Sequence, residues 1–141
     1  MTIQIDYNRS EKMYQWTCPD SGEIFQFPSG KQGKAEAWKF AISMLDPELH
    51  ETAQRMIERQ PTLERTIWRA VELVANNAIE EKTAVLHMVS SSDEFGRYAV
   101  ENGRSCQCEA FTNWPQYTST GAVVCKHVLS VYLFRTLRTE Y

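Results

Sequence analysis

The sequence predicts an α+β protein: a small antiparallel β-meander plus helix, a helical hairpin, and then a ββα module. Three observations carry this. Short stretches near the start, and again after residue 83, alternate or cluster apolar residues as strands do. Between them, from about residue 34 to 79, apolar residues recur every three or four positions, as on one face of a helix. Finally, three of the four cysteines and one of the three histidines fall into two tight clusters near the end, Cys106-Gln-Cys108 and Cys125-Lys-His127. With 141 residues the chain has room for one medium domain or two small ones. The expected divisions are 1–45, 46–81 and 82–141.

Taken in order, residues 3–7 alternate around Ile3, Ile5 and Tyr7, and residues 13–18 around Tyr14 and Trp16. Pro19-Asp20-Ser21-Gly22 is a turn by composition. Residues 23–27 form the third strand, with Phe25 and Phe27 on one face. Gly30-Lys31-Gln32-Gly33-Lys34 breaks the sheet and opens a helix over 34–45, whose stripe is Trp38, Ile42 and Leu45, flanked by Ala37, Ala41 and Met44. Asp46 is placed to cap the next helix, with Pro47 at its first position. Its core face is Leu49, Ala53, Met56 and Ile57, and Pro61 ends it. A third helix is expected over 62–79, on Leu63, Ile67, Ala70, Val71, Val74 and Ala78. Residues 84–90 and 97–100 then read as strands joined by a turn at 91–96, and Glu101-Asn102-Gly103 as a tight turn leading into Cys106. The apolar run 128–134 starts the last helix.

The two Cys/His clusters point to one structural zinc ion held by Cys106, Cys108, Cys125 and His127. Side chains at i and i+2 of an extended strand share a face, so Cys106 and Cys108 can reach one ion. In a regular helix, i and i+2 diverge, so Cys125 is expected just before the helix and His127 in its first turn. The positive end of the helix then favours thiolates. Three soft sulfurs and an imidazole nitrogen suit tetrahedral zinc. A redox dithiol would leave the Cys-Lys-His cluster without a purpose. Cys18 is read as a small buried hydrophobe in a strand. His87, on a strand, and His50, on a helix surface, are read as non-ligands.

This pattern resembles the SWIM zinc finger, whose signature is Cys-x-Cys, a variable gap, then Cys-x-His. The two strands before Cys106 and the helix after His127 match the family's ββα order, and the resemblance covers about residues 84–138. It implies a binding role, since SWIM fingers are found in helicase-like ATPases, transposases and signalling proteins and are thought to bind DNA or other proteins. Residues 1–45 resemble, in composition, the small arm-binding domain of phage integrases, which reads DNA with its sheet face; Arg9 and Lys12 are the basic residues about those strands.

Composition narrows the functions further. The net charge is −3, and three thiolates around one Zn²⁺ add another negative charge, which argues against a broadly basic nucleic-acid binder. Acidity is concentrated in residues 46–81, with eight acidic residues against four basic. No basic stretch followed by an apolar run, and no long apolar run, is seen; a cytoplasmic, reducing compartment is expected, with no membrane contact. Four good ligands leave a zinc ion no open position, and no nucleophile elbow or paired helical histidine is present, so no enzyme is expected. The expected function is therefore that of an adaptor, docking a protein partner in a nucleic-acid-handling complex through the finger and the acidic hairpin. The alternative is direct DNA or RNA binding. Candidate contacts are Lys31 and Lys34 at a helix start, Trp114 and Tyr117 between the metal clusters, and Arg135 and Arg138 near the end, where cations also stabilise a helix terminus.

Overall fold

A computed structural model describes residues 3–90 and 96–139, and all of it is mixed α+β, with three small antiparallel sheets. The expected turn at 91–96 lies, apart from Gly96, outside the described residues. The chain forms two compact units, residues 1–50 and 51–141, with the boundary inside helix α2 (Pro47–Arg59). No helix among the described residues is long and apolar enough to cross a membrane.

The first unit is a three-stranded meander, β1 (Asp6–Asn8), β2 (Met13–Thr17) and β3 (Ile24–Pro28), covered by α1 (Lys31–Leu45). Tyr14 pairs with Tyr7 and Phe27, and Trp16 with Phe25, so these rings share one face. Phe40 of α1 meets Trp16, Phe25 and Phe27 at centroid distances of 6.0, 4.7 and 5.7 Å. Phe40, half-buried, thus packs on the aromatic face of the sheet although it lies outside the expected stripe; Trp38, in that stripe, is also half-buried, and Met44 is exposed. The opposite face of the sheet carries Asp6, Asn8, Gln15 and Gln26, while Arg9 and Lys12 sit in the β1–β2 turn. That face is amide-rich rather than basic. Cys18 is buried just past the end of β2.

Helix α1 begins at Lys31, three residues earlier than expected, because Gly30 at φ 107° turns the chain and its carbonyl accepts from Lys34 N–H. Gly33, in the first turn, lies so close to β3 that a Cβ there would run into the Pro28 carbonyl. The glycine is required for helix-on-strand packing. Asp46 caps α2 as expected, its carboxylate accepting from Leu49 N–H at 3.2 Å.

In the second unit a 3₁₀ turn (Pro61–Leu63) leads into α3 (Glu64–Ala75). This helix stops four residues before the expected end. Asn77 takes a left-handed conformation, φ 55°, and Ala78 N–H closes back on the Leu73 carbonyl at 3.0 Å. That is the geometry of a Schellman-type stop, in which asparagine substitutes for glycine. Ile79, expected in the helix, opens strand β4 (Ile79–Glu81) of a four-stranded meander with β5 (Leu86–Ser90), β6 (Arg97–Glu101) and β7 (Ser105–Cys106). Asn102 and Gly103, both at positive φ, form the turn that delivers β7. Between β7 and the last helix the chain adds α4 (Glu109–Asn113) and a hairpin of β8 (Gln116–Tyr117) with β9 (Val123–Val124), none of which the simpler ββα reading contained.

Helix α5 (Lys126–Thr139) lies across the four-stranded sheet and against α3. Cross-strand pairing lines up Glu81, His87, Val100 and Cys106 on one face. The helix offers a matching stripe, His127, Val131, Phe134 and Arg138, spaced four, three and four residues apart. Three strand spacings span about 14 Å and eleven helical residues about 16 Å, so row and stripe run in step. His127 meets Cys106 at one end, Phe134 packs edge-on to His87 in the middle, and Arg138 pairs with Glu81 at the other end at 2.6 Å.

Candidate metal centre

The row ends at four buried side chains, Cys106, Cys108, Cys125 and His127, whose ligand atoms all lie within 4.8 Å of one another. Each is positioned by a different local device. Cys106 closes β7. Cys108 keeps an extended backbone, φ −69° and ψ 157°, which leaves it on the same side as Cys106, and it caps α4, its sulfur accepting from Phe111 N–H at 3.3 Å. Cys125 stands just ahead of α5, its sulfur accepting from Val128 N–H at 3.5 Å. His127 is the second residue of α5; its Nδ1 lies 3.8 Å from both the Cys106 and Cys125 sulfurs. Tyr98 covers the imidazole at a centroid distance of 4.7 Å.

This geometry fits a tetrahedral metal ion. Bonds of about 2.3 Å to sulfur and 2.1 Å to nitrogen put a nitrogen and a sulfur roughly 3.6 Å apart, close to the spacing seen. The electrostatics agree. A hydrogen bond from the Cys125 thiol pulls Cys106 down to about 4. The thiolate so formed, together with burial, pushes Cys125 up, and burial pushes Cys108 up. Three thiols this close cannot all ionise by themselves; a divalent cation is the group that would let them.

A cleft of about 320 Å³ opens beside the cluster. Cys108, Cys125 and His127 contribute to its wall, and Thr66 and Arg69 of α3, Trp114 and Lys126 complete much of it. The loop between the cysteine pairs is fastened to α3 and to the link between α2 and the 3₁₀ turn. Thr66 hydrogen-bonds Gln116, and the Gln60 side chain makes two bonds to Ser119, one to the hydroxyl at 3.0 Å and one from the backbone N–H at 2.8 Å. Sequence reasoning missed Gln60, Thr66 and Arg69, and no spacing pattern links them to the clusters.

The other candidate contacts are scattered. Trp114 and Tyr117 are exposed, at 71% and 56%, in the segment between the cysteine pairs. Lys31 and Lys34 are exposed on the first turn of α1, in the other unit. Arg138 is engaged with Glu81 and lies over the Phe134 ring at 5.2 Å. Arg135 sits by the Asn102–Gly103 turn, in a separate cavity of about 430 Å³ with Val85, Glu101 and Arg104. Both arginines thus have structural surroundings of their own.

Fold and cluster together define a mixed α+β chain with a buried three-cysteine, one-histidine site able to hold one metal ion. Comparison with known proteins finds no matching family model, no matching curated protein and no matching solved structure.

Proposed function

We infer that the chain is an interaction module rather than an enzyme, organised by one structural zinc ion in a SWIM-type finger. The observation that carries this reading is the closed donor set: four buried protein ligands of the kind and spacing zinc prefers. Zinc bound there would hold together β7, α4 and the start of α5, and would supply no vacant position for a substrate. The reading predicts one zinc per chain with a shell of three sulfurs and one nitrogen. Elemental analysis and X-ray absorption test it; protein purified without chelator that carries no zinc, or a four-sulfur shell recruiting Cys18, overturns it.

The work of the module, on this reading, is to dock a protein partner within a nucleic-acid-handling complex in a reducing compartment. Exposed Glu58, Glu64 and Glu72 on α2 and α3 would steer a basic surface toward it. Glu80 and Glu81 do not join that face, since they pair with Lys82, Arg97 and Arg138. Of the two tryptophans in this unit, Trp68 is buried and Trp114 is exposed, so Trp114 is the one placed to act as an apolar anchor. Reversal of Glu58, Glu64 and Glu72 to lysine is expected to slow association with the partner at low salt and to leave zinc content unchanged.

A second reading, direct binding of single-stranded nucleic acid, is favoured by the exposed Trp114 beside Arg69 and Lys126. It predicts that Trp114→Ala weakens binding of a mixed-sequence oligonucleotide by about 1–3 kcal/mol. Absence of binding at low salt, or an unchanged affinity in that variant, leaves the protein-docking reading.

A further inference from the structure

His87 is the anomaly of the second unit. It is fully buried at the centre of the sheet row, yet neither ring nitrogen has a hydrogen-bond partner among the described residues. A valine or leucine would fill a core strand position without leaving two polar atoms unpaired, a cost that native proteins seldom carry without a use. The nearest acceptor is the Glu81 carboxylate, with Nε2 3.9 Å from Oε1, just beyond hydrogen-bond reach. The other oxygen of that carboxylate is held by Arg138 at 2.6 Å. Phe134, one turn before Arg138, closes over the imidazole at a centroid distance of 6.0 Å, edge to face.

We propose that His87 is a proton-operated latch for the C-terminal half of α5: protonation draws Glu81 from Arg138 to the imidazolium and frees the turn that carries Phe134 and Arg138, while the metal-held start of the helix stays in place.

The charged groups around His87 set the sign. Burial lowers its affinity for a proton most; Glu81 on β4 opposes this, and Arg135 and Arg138 on α5 add to it. From β6 the facing residue is Val100, with Tyr98 two residues along the same face. The folded state therefore keeps His87 neutral below the ordinary value of about 6.5. The unfolded or released form binds the proton more readily, so the latch is closed above that value and loosens as pH falls through it. An imidazolium cannot stay unpaired under Phe134. Glu81 lies within a rotamer change of it, and the Glu81–Arg138 pair is exposed enough, at 38% and 59%, to exchange partners readily.

The test uses the full chain loaded with zinc, with zinc content checked at each pH. Amide hydrogen exchange, corrected for intrinsic rates, is compared at pH 7.5 and 5.5. Residues 134–138 of the wild type are expected to exchange several-fold faster at the lower pH, while 127–131 are unchanged. In His87→Leu, of similar volume and without ring nitrogens, protection of 134–138 is expected to be the same at both values. Glu81→Gln tests the catch from the surface: 134–138 should already exchange about 1.4- to fivefold faster at pH 7.5. The proposal is overturned if His87→Leu keeps the pH response. It is overturned equally if all of α5 loses protection together with zinc, or if Glu81→Gln leaves neutral exchange unchanged. Retention of zinc throughout keeps this result separate from the fate of the zinc reading itself.

Discussion

At the scale of single residues, two positions show how opposing effects are decided. In Gly33→Ala, the helix would gain about 1 kcal/mol of propensity. The new Cβ, however, falls on the Pro28 carbonyl, which is backbone and cannot swing aside. Overpacking of this kind costs about 1–3 kcal/mol, so net destabilisation is expected, read as a lower midpoint in urea. In sequence the same glycine reads only as part of the Gly30–Lys34 break that opens the helix; the reason for it, a strand passing behind the helix, is a tertiary contact that no local pattern shows. The second position is Cys108. A serine there keeps the cap on α4 and loses a soft ligand. Zinc content should fall, with loss of the roughly 10 kcal/mol that structural zinc contributes to folding; normal zinc content in Cys108→Ser would remove Cys108 from the ligand set. All four residues of the cluster were legible because metal chemistry demands rare residues at short spacings. Residues Gln60 and Thr66, which fasten the intervening loop, were not, because a surface glutamine or threonine carries no signal of its distant partner.

At the scale of elements, what sequence periodicity shows depends on whether the decisive signal is local. Asp46 and Pro47 mark the start of α2 by a local device, and the cap forms as read. The end of α3 is set too late by periodicity because Ala78, four residues after Val74, continues the helical stripe past the true stop at Ala75. The stop is made by Asn77, one of three described non-glycine residues at positive φ. Replacing Asn77 by glycine removes the strain of a side chain at φ 55° and should stabilise the metal-loaded protein by up to about 1 kcal/mol. Asn77→Val, β-branched and poorly tolerated there, should destabilise it by about 1–2 kcal/mol. Equal urea midpoints for the two variants would mean that the helix end does not need the left-handed residue. The early stop also matters for charge. Glu80 and Glu81, counted in sequence with the acidic segment 46–81, lie in strand β4, where Lys82, Arg97 and Arg138 pair with them.

At the scale of the whole molecule, the dependence on metal should differ between the two units. The first owns a core of Trp16, Cys18 and Ala41 with Phe25, Phe40 and Leu45 around it, and it contains none of the four residues of the Cys/His cluster. In the second, α5 covers β4 to β7 and packs on α3, and the start of α5 carries Cys125 and His127. A unit of this length has a stability on the order of 5–14 kcal/mol at roughly 0.05–0.15 kcal/mol per residue. Structural zinc, at about 10 kcal/mol, is of the same size. Chelation should therefore unfold more than the loop around the ion. The 14 residues of α5 and the 12 of α3 are expected to lose helicity together, because Ile67, Val71, Val131 and Leu133 are each fully buried and α3 packs directly on α5. Amides of β2, β3 and α1 should keep their protection. Hydrogen exchange with and without chelator measures both at once. If α3 stays protected after the metal is stripped, its apolar face suffices without α5, and the ion only trims a core that forms without it.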